Sequence, residues 1–117
     1  MIQAIAFVAY PVADMKRSRD FYERVLGLKV GTSFGDEWIE YEVNGATFAI
    51  TTMDVNHRPA AKGAVVAFEV DDLNAAVSQL KKEKVPFAVE IAESPVCRSA
   101  IVHDPDGNEV IIHKRKS

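Results

Sequence analysis

The chain repeats itself, and this constrains its fold more than any other feature. Phe7-Val8-Ala9-Tyr10-Pro11-Val12-Ala13-Asp14-Met15 aligns with Val65-Val66-Ala67-Phe68-Glu69-Val70-Asp71-Asp72-Leu73 at a constant offset of 58 positions. Each copy is an apolar run, an acidic residue, and then an apolar residue that opens a helix. A unit repeated once has a surface that it cannot bury alone.

The first helix starts at Asp14, whose carboxylate can accept from the free N–H groups of the first turn. Met15, Ser18, Tyr22 and Val25 follow at helical spacing, and Gly27 is suited to end the helix with a positive φ. In the second copy Asp71 or Asp72 caps. Leu73, Ala76, Val77 and Leu80 form the apolar stripe, Lys81, Lys82 and Lys84 complement the negative helix end, and Val85-Pro86 stops it. Three strand-like runs follow each helix: 28–34, 37–43 and 46–52, then 87–91, 96–103 and 108–113. Asn44-Gly45 is a type I′ hairpin signal, and Asp104-Pro105-Asp106-Gly107 makes the corresponding turn. The expected class is α+β, with two βαβββ modules forming an incomplete eight-stranded barrel and a helix outside each half. The 117 residues read as a single domain, with module 1 at about 1–53, a linker at 54–62, and module 2 at about 63–117.

Composition narrows the function. The net charge is −3, and the one tight basic cluster is His113-Lys114-Arg115-Lys116, so nucleic acid is not an expected partner. Cys97 is the single cysteine, which excludes an internal disulfide and suits a reducing, cytoplasmic location. The opening residues lack the positive region of a signal peptide, and no apolar run approaches a membrane span, so no membrane association is expected. No phosphate-binding glycine loop or nucleophile elbow is present.

Strand side chains alternate between faces. The uniformly apolar rows Val66, Phe68, Val70 and Val110, Ile112 are assigned to the helix side, with Ile39, Tyr41 and Val43. The mixed rows are assigned to an inner cavity, which then carries Phe7, Ala49, Val65 and Ile111 near its middle and Glu69, Glu109 and His113 towards strand ends. Trp38, Glu40 and Glu42 share a row, and a tryptophan beside carboxylates can stack on a flat cation.

Three motifs resemble the vicinal oxygen chelate superfamily, which includes glyoxalase I, extradiol dioxygenases and the fosfomycin- and bleomycin-resistance proteins. They are Ser18-Arg19-Asp20-Phe21-Tyr22 with Val25-Leu26-Gly27-Leu28; Ala67-Phe68-Glu69-Val70-Asp71-Asp72-Leu73; and Asp104-Pro105-Asp106-Gly107-Asn108. In metal-dependent members four inward residues bind one divalent ion. The resemblance carries those positions onto Phe7, Ala49, Val65 and Ile111. None of these side chains offers a lone pair, and slipping the register by one residue also yields apolar side chains. No metal and no cofactor is therefore expected.

The resemblance then implies a protein like those of the bleomycin-resistance branch: a homodimer that binds a small organic molecule without metal. The expected ligand-binding residues are Phe7, Trp38, Glu40, Ala49, Val65, Arg98, Glu109, Ile111 and His113, and the acidic rim favours cationic or amine-bearing ligands. The alternative is a lyase, isomerase or dioxygenase of the same superfamily with a non-standard or relocated site. There His113 and Glu109 would be an acid–base pair and Arg98 would hold a substrate carboxylate. A relocated site built from His57, His103 and His113 is disfavoured, because no two of them have ligand spacing.

Overall fold

The computed structural model describes residues 3–53, 59 and 65–116. The chain divides into two compact units, Met1–Pro59 and Ala60–Ser117. Most of the segment 54–62, His57 included, lies outside the described residues.

The first unit contains β1 (Val8–Pro11), α1 (Met15–Arg19) continuing into a π-helical segment (Asp20–Val25), β2 (Val30–Phe34), β3 (Trp38–Val43) and β4 (Ala46–Thr51). Its sheet order is β1-β4-β3-β2. The second unit contains β5 (Val66–Glu69), α2 (Leu73–Lys82), β6 (Phe87–Glu93), β7 (Cys97–His103) and β8 (Glu109–Arg115), in the order β5-β8-β7-β6. Both units are therefore βαβββ modules. In each, the first strand pairs in parallel with the last, and the others pair antiparallel.

The repeat extends to register. Val8, Ala9, Tyr10 and Pro11 pair with Phe48, Ala49, Ile50 and Thr51. Val66, Ala67, Phe68 and Glu69 pair with Val110, Ile111, Ile112 and His113. Even the hydrogen bond that follows is repeated: Val12 N–H donates to Thr51 O, and Val70 N–H to His113 O, each at 2.9 Å.

Local chemistry fixes the helix and turn boundaries. Asp14 accepts from the Arg17 amide at 3.1 Å, and Asp72 from the Ala75 amide at 3.0 Å, so of the two candidate caps Asp72 is the one used. Lys84 ends α2 with φ 59°, its amide returning to Lys81 O at 3.0 Å. The hairpin residues Asn44 and Gly45 have φ 50° and 88°, as a type I′ turn requires. In the second unit the buried Asp104 ties its turn together. Its Oδ1 accepts from the amides of Asp106 (2.9 Å) and Asn108 (2.8 Å), and its Oδ2 from Asn108 Nδ2 (2.9 Å).

Each helix covers one face of its own sheet. In unit 1 the rings of Tyr10, Tyr22, Tyr41 and Phe48 meet at centroid distances from 5.2 to 6.3 Å, with Ile39 and Ile50 buried beside them. The π-helical turn buries both Phe21 and Tyr22, where the α-helical stripe read from sequence contained Tyr22 alone. Tyr41 donates to Glu23 Oε2 at 2.9 Å, and burial together with that carboxylate pushes the Tyr41 hydroxyl above its ordinary range. In unit 2, Leu73, Val77 and Leu80 pack with Ala100, Val102, Val110 and Ile112. Among the described residues no helix is long and apolar enough to cross a membrane.

The two adjacent aspartates at the start of α2 separate capping from net charge. Asp72→Ala should lower stability by about 1 kcal/mol, while Asp71→Ala should stay within about 0.5 kcal/mol of the parent. Urea unfolding followed by circular dichroism reads both, with the midpoint moving and the slope unchanged.

Candidate functional site

The face of each sheet away from its helix carries the chemistry, and the register defines it row by row. In unit 1 one row is Ala9, Ala49, Glu40 and Thr32, and the next is Pro11, Thr51, Trp38 and Phe34. Phe7 lies one residue before β1, level with Thr47. The Phe7 and Trp38 rings nevertheless meet edge to face, 5.3 Å apart at 89°. Two residues two rows apart and two strands apart can meet only diagonally, over the residue between them, which is Ala49. Ala49 is accordingly fully buried, although it lies on the helix-free face. This corrects its expected role: Ala49 shapes the platform from beneath and has no surface to offer a ligand. Trp38 Nε1 donates to Glu40 Oε2 at 2.8 Å, which fixes the indole edge and brings a carboxylate beside it. Phe7 (48%) and Phe34 (63%) keep much of their surface exposed. Phe34, paired cross-strand with Trp38, is a further exposed ring that was not singled out in the sequence.

In unit 2 the corresponding rows are Ala67, Ile111, Ile101 and Val89, and then Glu69, His113, Ser99 and Ala92. Val65 lies level with Glu109 and His103, and is half exposed. His113 Nδ1 bonds to Glu69 Oε1 at 2.5 Å, and Glu69 Oε2 accepts from the Arg115 amide at 2.8 Å. The amide and the imidazole together hold the Glu69 carboxyl below the usual carboxylate range. The carboxylate partner of His113 is thus Glu69, in place of the expected Glu109. Glu109 lies two rows away, opposite His103. The repeat itself points to Glu69: applying the register of unit 1 to unit 2 sets it against His113. His103 bonds through Nδ1 to Gly107 O at 3.2 Å, which makes it part of the turn.

Arg98 is a second correction. Its strand neighbours Cys97 and Ser99 face Arg115 and His113, so Arg98 points to the other side, opposite Lys114. There its Nη2 reaches Asn74 of α2 at 3.2 Å, and its Nε lies 3.4 Å from Glu93 Oε1. A guanidinium committed to the helix side cannot hold a substrate beside His113.

The four family metal positions fail a test of donor chemistry. Phe7, Ala49, Val65 and Ile111 present only ring and alkyl carbon, and a divalent cation needs oxygen, nitrogen or thiolate lone pairs. Ala9 and Ala67, which share the row of Ala49 and Ile111 in their respective sheets, are apolar as well. The residues present do not fit the ion.

Comparisons with known proteins place this arrangement. The family model described as the glyoxalase/bleomycin resistance protein/dioxygenase superfamily matches residues 4–112. No curated protein matches the sequence. Among solved structures, a glyoxalase family protein from Bacillus anthracis superposes with a TM-score of 0.82 at 20% identity, covering 99% of this chain and 98% of that one. TnmS3, an antibiotic binding protein from a Streptomyces species, gives 0.81 at 22% identity, covering 98% of each chain. A lactoylglutathione lyase from Agrobacterium tumefaciens gives 0.76 at 19% identity, covering 97% and 95%. The likeness spans nearly the whole of each molecule, and the chain belongs to the glyoxalase/bleomycin resistance protein/dioxygenase superfamily.

Proposed function

We propose that this protein binds a small organic molecule without a metal ion, in the manner of the antibiotic-binding members of its superfamily. One observation carries the reading: hydrocarbon side chains stand at the four strand positions where a catalytic cation would need donors. The fold alone does not decide between binding and catalysis, since it is shared with both an antibiotic binding protein and a lyase.

The platform of unit 1 suggests the ligand class. Phe7, Trp38 and Phe34 offer ring faces and edges, and Glu40 places a negative charge at the indole. A flat cation gains both from the quadrupole of the rings and from the carboxylate. We read the ligand as an aromatic or amine-bearing cation, and the protein as a homodimer in solution. A second reading, enzymatic, draws on the Glu69–His113 contact. A carboxylate that fixes one imidazole nitrogen leaves the other as an oriented base. On that reading turnover of an α-hydroxy or α-keto acid would be lost in His113→Gln.

Two outcomes are expected. Elemental analysis of the purified protein should find no stoichiometric nickel, zinc, iron or manganese, and ligand binding should survive a chelator; a one-to-one metal would overturn the reading. Trp38 is the single tryptophan, so its fluorescence reports directly on the platform. Cationic aromatics should quench it saturably, neutral isosteres should not, and Glu40→Gln should weaken binding about tenfold, or about 1.4 kcal/mol. Equal binding of cation and neutral isostere would exclude the cationic ligand class.

A further inference from the structure

The rows of unit 2 continue past His113. Cys97 faces Arg115 on the same side as Ser99 and His113. A cleft of about 490 Å³ opens there, lined by Pro95, Val96, Cys97, His113, Arg115 and Lys116. We infer that this strand-end cleft is a binding site for a small organic carboxylate on an apolar body, with the Arg115 guanidinium gripping the anion.

The carboxylates around the cleft are already occupied. Glu69 uses one oxygen for His113 and the other for the Arg115 amide. Glu93 faces Arg98 with one oxygen and accepts from Lys116 with the other at 3.0 Å. Glu69 is held by the main chain of Arg115, and among the described residues no carboxylate pairs with the Arg115 guanidinium. Among those residues its planar fork of donors has no partner, and the fork matches a carboxylate in two parallel bonds. Beside it, Glu69 fixes His113 through Nδ1 and leaves Nε2 as a further donor or acceptor. The wall is firm: the Lys116 amide donates to Val96 O at 2.9 Å, and Ser94 Oγ accepts from the Val96 and Cys97 amides at 3.3 and 3.1 Å. Val96, 69% exposed, and Pro95 supply apolar surface for the rest of the ligand. A guanidinium next to uncovered hydrocarbon selects an anion that carries a hydrophobic body over a bare ion such as phosphate. The site shares no residue with the Trp38 platform, so it stands or falls separately from the cation-binding reading.

The test uses the full chain, titrated with benzoate, benzamide and inorganic phosphate and followed by two-dimensional NMR. Benzoate should shift Cys97, His113 and Arg115 saturably, and benzamide and phosphate should bind far more weakly. Arg115→Gln should lower benzoate affinity about tenfold or more, with the remaining spectrum unchanged. Lys114→Gln removes the same charge from the opposite face and should leave benzoate affinity intact. Benzamide binding as well as benzoate, phosphate binding as well as benzoate, no saturation by benzoate, or equal losses in the two variants would each overturn the proposal.

Discussion

The parallel pairing of first strand with last organises both halves of this chain. Parallel neighbours cannot be joined by a tight turn; the connection must cross over, and a helix is the usual means. Here the helix carries the chain across one face from the first strand to the opposite edge of the sheet, and the next two strands return by hairpins to lie beside it. Once Ala9 is set against Ala49, and Ala67 against Ile111, alternation assigns the side chains of the paired strands to faces, except where the outer strands β2 and β6 shift register. A slip of one residue would turn the core outward, so the buried face holds the register.

The repeat shows which face is under which constraint. On the helix side equivalent positions stay apolar: Tyr10 and Phe68, Phe48 and Val110, Ile50 and Ile112, Ile39 and Ala100, Tyr41 and Val102. Size changes, with five buried rings in the first core and aliphatic side chains in the second, but apolar character does not. On the other side the same symmetry pairs Pro11 with Glu69, Thr51 with His113, Trp38 with Ser99, and Glu40 with Ile101. Packing against a helix demands hydrocarbon at fixed places. The helix-free face carries no such demand, and there the two copies have diverged into an aromatic platform in one unit and a histidine–carboxylate pair in the other.

This difference also explains what could be read in the sequence. Caps, hairpins and the helical stripe of α2 depend on residues a few positions apart, so their signals are local and the structure bears them out. The π-helical turn left no trace, because an α-helical stripe takes only one of two neighbours, Tyr22, whereas the observed turn buries Phe21 as well. Arg98 was assigned to the wrong face because Cys97-Arg98-Ser99 offers no contrast of polar with apolar, and its partner Asn74 is 24 positions away. Glu109 was paired with His113 because the two share a strand, whereas the contact that formed crosses to Glu69, 44 positions earlier. Ala49 was taken as lining a cavity. The structure buries it completely, which the alternation of β4 cannot reveal.

A superfamily whose catalytic members hold a cation between strand side chains sets a demanding condition: the donors must be present, because no backbone geometry can make a phenyl or isobutyl group coordinate. Losing them does not leave the sheet idle. Phe7, Val65 and Ile111 present hydrocarbon where the family's donors would stand, and hydrocarbon with a few fixed polar groups is what recognition of an organic molecule needs. In unit 1 the Phe7 and Trp38 rings meet edge to face, and Glu40 fixes the indole. Ala49, on the row between those of Phe7 and Trp38, is fully buried and carries no donor atom.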